Sequence, residues 1–104
     1  MTEVYRALAD PTRRRILELL RERAMTAGEL AEHFVLSKPT LSGHFAVLRQ
    51  ADLVSAEKSG TTITYRLNLS VLEDALLLLM KGFGLLERVE ASRDAPGVGE
   101  GKTR

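Results

Sequence analysis

The 104-residue chain contains no cysteine and no tryptophan. The missing cysteine excludes disulfides, thiolate metal sites, redox switching and cysteine nucleophiles together. An excess of one charge is also missing: fifteen Lys and Arg stand against fourteen Asp and Glu, a net charge of +1. A polybasic coat is thereby excluded, and any hold on nucleic acid must come from local placement of cations. Histidine occurs only twice, at His33 and His44. The longest apolar run, Ala75 to Met80, is far too short to span a bilayer. Arg6 and Asp10 interrupt the N-terminus before a signal-peptide core can form, so a cytoplasmic protein is expected. No base stands beside a nucleophile, and an enzyme is not expected. What is present is one ordinary globular domain, with 44% hydrophobic and 28% charged residues.

Val4, Tyr5 and Leu8 mark a short helix over 3–9. Asp10-Pro11-Thr12 starts another, because Asp caps free N–H groups and Pro needs no partner at the first position. It carries Arg13-Arg14-Arg15 and a stripe of Ile16, Leu19 and Leu20, with Arg21 and Arg23 near its negative pole. Alternate members of the arginine run must face solvent or acids such as Asp10 and Glu18, and the run is assigned to structure and long-range attraction, with at most one phosphate contact. Thr26 and Glu29 form a capping box before a short helix with an apolar face of Ala27, Leu30, Ala31 and Phe34. After Val35-Leu36, Ser37 caps a helix with Pro39 just inside it, running to about Gln50 over Leu41, Phe45 and Leu48. Two short helices with a brief connection are the shape of a helix-turn-helix.

Asp52 stands where a helix must end and the chain must turn, a place that tolerates Asp in the left-handed conformation. Leu53 to Glu57 and Thr61 to Leu67 predict a hairpin around Lys58-Ser59-Gly60. Ser70 and Glu73 make a second capping box before one long helix, roughly Val71 to Glu90. Leu72, Leu76, Leu79, Phe83 and Leu86 stripe it, and Leu77 and Leu78 widen the apolar face. Gly82 and Gly84 loosen it. Pro96, Gly97, Gly99 and Gly101 predict a disordered tail over 91–104, leaving 1–90 as the domain. The fold class is mainly α with a small β-hairpin wing (α+β), a winged helix-turn-helix.

Four blocks closely resemble the ArsR/SmtB transcriptional repressors. They are Ala7-Leu8-Ala9-Asp10-Pro11-Thr12-Arg13-Arg14-Arg15-Ile16-Leu17, Ser37-Lys38-Pro39-Thr40-Leu41-Ser42-Gly43-His44-Phe45, Leu48-Arg49-Gln50-Ala51-Asp52-Leu53-Val54 and Tyr65-Arg66-Leu67. Within that family the chain looks most like the branch of the sporulation-delay autorepressor, which lacks metal ligands. The resemblance implies a symmetric dimer that binds an inverted-repeat operator and represses by occluding the promoter. It places the dimer interface on the first and last helices, here at Val4, Tyr5, Leu8, Leu72, Ala75, Leu76, Leu79, Phe83 and Leu86.

Turning Leu41, Phe45 and Leu48 inward leaves Pro39, Gly43, Ala46 and Gln50 outward, with Thr40, Ser42 and His44 on the flanks. The N-terminal half of such a helix enters the major groove, so Thr40, Ser42 and His44 are candidate contacts, with Ser37 and Lys38 at its start. His44 reads equally well as a structural histidine bonded inside the fold. Gly43 departs from the family, which usually carries a long polar side chain there. Either the backbone approaches DNA closely, or reading has moved to Thr40, Ser42 and Gln50. Lys58, Ser59, Thr61, Thr62 and Arg66 on the wing suit backbone or minor-groove contact.

Many relatives hold metal through cysteines where this chain has Thr26, Ala27 and Gly28; others use Asp and His along the last helix, which here lacks histidine. No metal, cofactor or catalytic residue is therefore expected. The expected partners are operator DNA, a second copy and an inducer or sequestering protein that the sequence leaves unspecified. The rival expectation is a protein-interaction module with a degraded DNA face.

Overall fold

The computed structural model describes residues 1–94. Their contacts form two compact units, Met1–Leu72 and a second beginning at Glu73. In the first, helix α1 (Thr2–Leu8) buries Val4 and Ala7. Helix α2 (Pro11–Glu22) starts as the sequence predicts, with the Asp10 carboxylate accepting from the N–H groups of Thr12 and Arg13. Its buried face is Ile16, Leu17 and Leu20, whereas Leu19, expected in the stripe, is only half-buried. The capping box of Thr26 and Glu29 is formed in both directions and opens α3 (Ala27–Ala31). That helix stops before Phe34, and only Leu30 of its expected face is fully buried. Ser37 then caps α4 (Lys38–Gln50), which buries Leu41, Phe45 and Leu48.

Asp52 has φ of +61°, the left-handed turn expected of it. Strands β2 (Val54–Ser59) and β3 (Thr62–Leu67) follow. Ser59 pairs with Thr62, so the turn is Gly60-Thr61 rather than Lys58-Ser59-Gly60. Gly60 takes φ of +63° at the first turn position, which glycine adopts without strain. A third strand, absent from the sequence expectation, is β1 (Met25–Thr26), which pairs with β3 through Met25 and Tyr65 and through Thr26 and Thr64. The sheet order is β1-β3-β2. Two residues of extended chain carry too little periodicity to be read as a strand.

The last helical region differs from the expected single helix. Helix α5 (Leu69–Gly82) starts one residue ahead of Ser70, so Ser70 lies within its first turn rather than capping it. The Asn68 carbonyl accepts from the N–H groups of Val71 and Leu72, while the Asn68 side-chain amide donates to the Asp52 carbonyl at 2.8 Å. Gly84, with φ of +71°, then breaks the helix, and α6 (Leu85–Asp94) follows. Residues 91–94, expected in the tail, are thus helical; the remainder of the expected tail, 95–104, lies outside the described residues. No helix among the described residues is long and apolar enough to cross a membrane.

Candidate nucleic-acid interface

Helix α4 is held from below by its apolar side. The Phe45 and Tyr65 rings lie with centroids 4.6 Å apart, which seats the wing against the helix. Thr40, Ser42, Gly43 and Gln50 are exposed on α4, and Lys38 is exposed at its start. The Ser37 hydroxyl accepts from the Thr40 N–H at 3.2 Å and donates to the Thr40 Oγ1 at 2.9 Å, so its first task is the cap. A Cβ at Gly43 would meet nothing within 4 Å. The fold does not require a glycine there, although glycine costs about 1 kcal/mol of helix propensity relative to alanine.

Residues paired across antiparallel strands share a face. Lys58 pairs with Ile63 and lies two residues from Ala56, the partner of Tyr65, so it shares the sheet face turned to Phe45. Arg66 pairs with Ser55, and Thr62 with Ser59, on the opposite face. The register therefore groups Lys58 with the recognition helix and sets Arg66, Thr62 and Ser59 apart from it; Thr61 is at the exposed tip.

The arginines of α2 and its end are engaged within the chain. Arg15 pairs with Glu18 at 3.2 Å, Arg21 with Glu22 at 3.7 Å and Arg23 with Glu29 at 3.5 Å. Arg14 donates to the Leu8 carbonyl at 2.8 Å, and Arg13 to the carbonyls of Ala7 and Arg6 at 2.9 and 3.2 Å. Two arginines of the run thus cap the end of α1, a role that spacing along the chain does not announce. Lys38, Arg49, Lys58 and Arg66 are exposed and form no ion pair among the described residues. With a net charge of +1, these unneutralised cations are what an anionic duplex would meet.

Arg49 is absent from the residues expected at this surface, though its signal is present in the sequence. It follows Ser42 by seven residues, which returns it to the same side of the helix. Burial pushes the Tyr65 hydroxyl up, partly offset by the nearby Arg49 charge. His44 is half-buried, and its Nδ1 lies 3.1 Å from the Arg13 guanidinium. This contact ties the ring to α2 within the fold. Burial works against Asp10 ionising, but the N–H groups of Arg13 and Thr12, with the nearby Arg13 charge, hold its carboxyl below the usual range.

Among the expected dimer residues, Val4 and Ala75 are buried within the single chain and offer no surface to a partner. Tyr5, Leu8, Leu72 and Leu86 are half-buried, and Leu76, Leu79 and Phe83 are exposed. Thr26, Ala27 and Gly28 at the start of α3 supply no thiolate or imidazole. No group of three His, Asp or Glu able to hold a metal is found among the described residues.

A helix-turn-helix followed by a hairpin, with cations left free on both, defines a winged-helix DNA-binding regulator. The family model described as "Bacterial regulatory protein, arsR family" matches residues 10–56. The Transcriptional repressor SdpR of Bacillus subtilis (strain 168) is 49% identical over 76 residues, covering 73% of this chain and 84% of that protein. An Arsenical resistance operon repressor of Staphylococcus aureus is 37% identical over 76 residues, 73% of each chain. The crystal structure of an ArsR family transcriptional regulator aligns with a TM-score of 0.75 at 28% identity, covering 83% of this chain and 94% of that one. The chain belongs to the ArsR family and is a DNA-binding transcriptional repressor.

Proposed function

We propose that two copies pair through the exposed faces of α5 and α6 and set their α4 helices on the halves of an inverted-repeat operator. The carrying observation is the apolar surface of α5 and the turn after it, where Leu76, Leu77, Leu78, Leu79 and Phe83 are all 37–76% exposed. Ser42, Thr40 and Gln50 face the base edges, with His44 on the flank. Gly43 lets the backbone come close, and Lys38 and Arg49 meet phosphates. Lys58 and Thr61 extend the contact from the wing, while Arg66, Ser59 and Thr62 meet the backbone beside it.

The repressor responds to no metal, since the start of α3 and the last helices lack the ligand sets transition metals require. Selection from a random duplex library with the purified protein tests the whole reading. It should recover a two-fold symmetric site, and sedimentation should show twice the 11.5 kDa chain. Recovery of unsymmetric half-sites by a monomer overturns the proposal. Stoichiometric zinc, nickel, copper or arsenite should leave affinity for the recovered duplex unchanged; a tenfold release by any of them overturns the metal-free assignment.

A further inference from the structure

Arg13 reaches three acceptors with one guanidinium. Nε donates to the Ala7 carbonyl at 2.9 Å, Nη2 to the Arg6 carbonyl at 3.2 Å, and Nη1 lies 3.1 Å from His44 Nδ1. A guanidinium has only donors and stays charged, so the lone pair must belong to His44. Nδ1 therefore accepts, and the ring proton sits on Nε2. The opposite tautomer would set N–H against N–H. The Asp10 carboxylate does not draw the guanidinium away, because it accepts from the backbone N–H groups of Thr12 and Arg13. Nε2 of His44 has no hydrogen-bond partner among the described residues, and the half-buried ring lies four residues after Thr40, on the adjoining turn of α4.

We infer that Arg13 is a positioning residue for DNA recognition, holding His44 as an Nε2–H donor to an acceptor on the duplex. The inference rests on α4 being the DNA-facing helix. It turns the structural and DNA-binding roles of His44 into one, since the bond that ties the ring to the fold also decides which proton the ring offers.

Nitrogen-15 correlation spectra of the histidine rings, with affinities for the duplex recovered by selection, test it. The wild-type ring should show the Nε2–H tautomer, and adding the duplex should shift that resonance and slow its exchange. Arg13→Met should mix the tautomers and weaken binding about tenfold, the scale of one hydrogen bond. His44→Asn keeps an acceptor near the Nδ1 position and offers nothing at Nε2. It should melt within a few degrees of wild type, remain dimeric and still lose about tenfold in affinity. An equal loss on an unrelated duplex of the same length identifies a phosphate acceptor, and a loss confined to the recovered duplex identifies a base. A wild-type Nδ1–H tautomer, or wild-type affinity in His44→Asn, overturns the assignment while leaving α4 as the reading helix. Recovery of no duplex by the wild-type protein removes that role from α4 and the inference with it.

Discussion

Helices α4 and α5 have thirteen and fourteen residues, and their apolar side chains meet opposite fates. In α4, Leu41, Phe45 and Leu48 are buried in the chain's own core, and the exposed side carries no large apolar side chain apart from Pro39. In α5 only Ala75 is fully buried, although the helix holds six leucines. Leu76 to Leu79 lie 37–52% exposed, and Phe83 just beyond is 76% exposed. Burying a leucine or phenylalanine fully contributes ~1.5–3 kcal/mol, so leaving five of them half in water forgoes several kcal/mol. The first helix completes a monomer fold. The second leaves its large apolar side chains exposed, the surface proposed above to meet a second copy.

Four experiments act on that contrast. The largest effect is expected at α5. Leu79→Asp should abolish dimerisation in sedimentation and lower affinity for the recovered duplex more than a hundredfold, because two linked half-sites become two separate binding events. Circular dichroism should show the helices intact, since Leu79 is already 37% exposed in the chain. A dimer surviving this change would place the interface elsewhere.

Next comes the core of α4. Leu48→Ala should cost ~2–5 kcal/mol in urea unfolding, as for a fully buried leucine. Leu78→Ala, at 52% exposed, should cost far less when measured below the dimer dissociation constant. Equal costs would erase the contrast.

Gly43→Arg tests the outward side of α4. The free protein has room for the side chain, so stability should hold or rise by up to ~1 kcal/mol. Affinity for the recovered duplex should nevertheless fall about a hundredfold as the side chain clashes in the groove. Binding as tight as wild type would show that position 43 is an empty reading position and not a close approach.

The smallest effects separate base from backbone. Ser42→Ala should cost ~1–3 kcal/mol on the recovered duplex and much less on unrelated DNA. Lys58→Ala should weaken both duplexes about equally and flatten the salt dependence by ~1 in slope for each phosphate it no longer neutralises. Sequence-dependent weakening at Lys58 would move the wing from backbone to base recognition.

Local chemistry made much of this molecule legible. Asp10, Thr26 and Ser37 cap their helices by the hydrogen bonds their side chains form with residues two or three positions on. Those interactions lie within one turn, where spacing along the chain is spacing in space. The same holds for the left-handed Asp52 and for the outward face of α4, from which Arg49 also follows. The break at Gly84 was only half legible: Gly82 and Gly84 announce a weak point, but choosing φ of +71° over a continuous helix is a matter of the surrounding backbone.

The apolar periods, the caps and the balance of charges are properties of neighbouring residues, and they settle the helix-turn-helix, the hairpin and the absence of any polybasic coat. Three other features depend on residues far apart in the chain. Met25 and Tyr65 meet to make β1 a strand. The strand register assigns Lys58 and Arg66 to opposite faces of the wing. Arg13 finds His44 across 31 positions and, through a donor that cannot accept, decides which ring nitrogen keeps its proton. Periodicity reports which side of an element is apolar, whereas partner, register and tautomer depend on what stands opposite once the elements have packed.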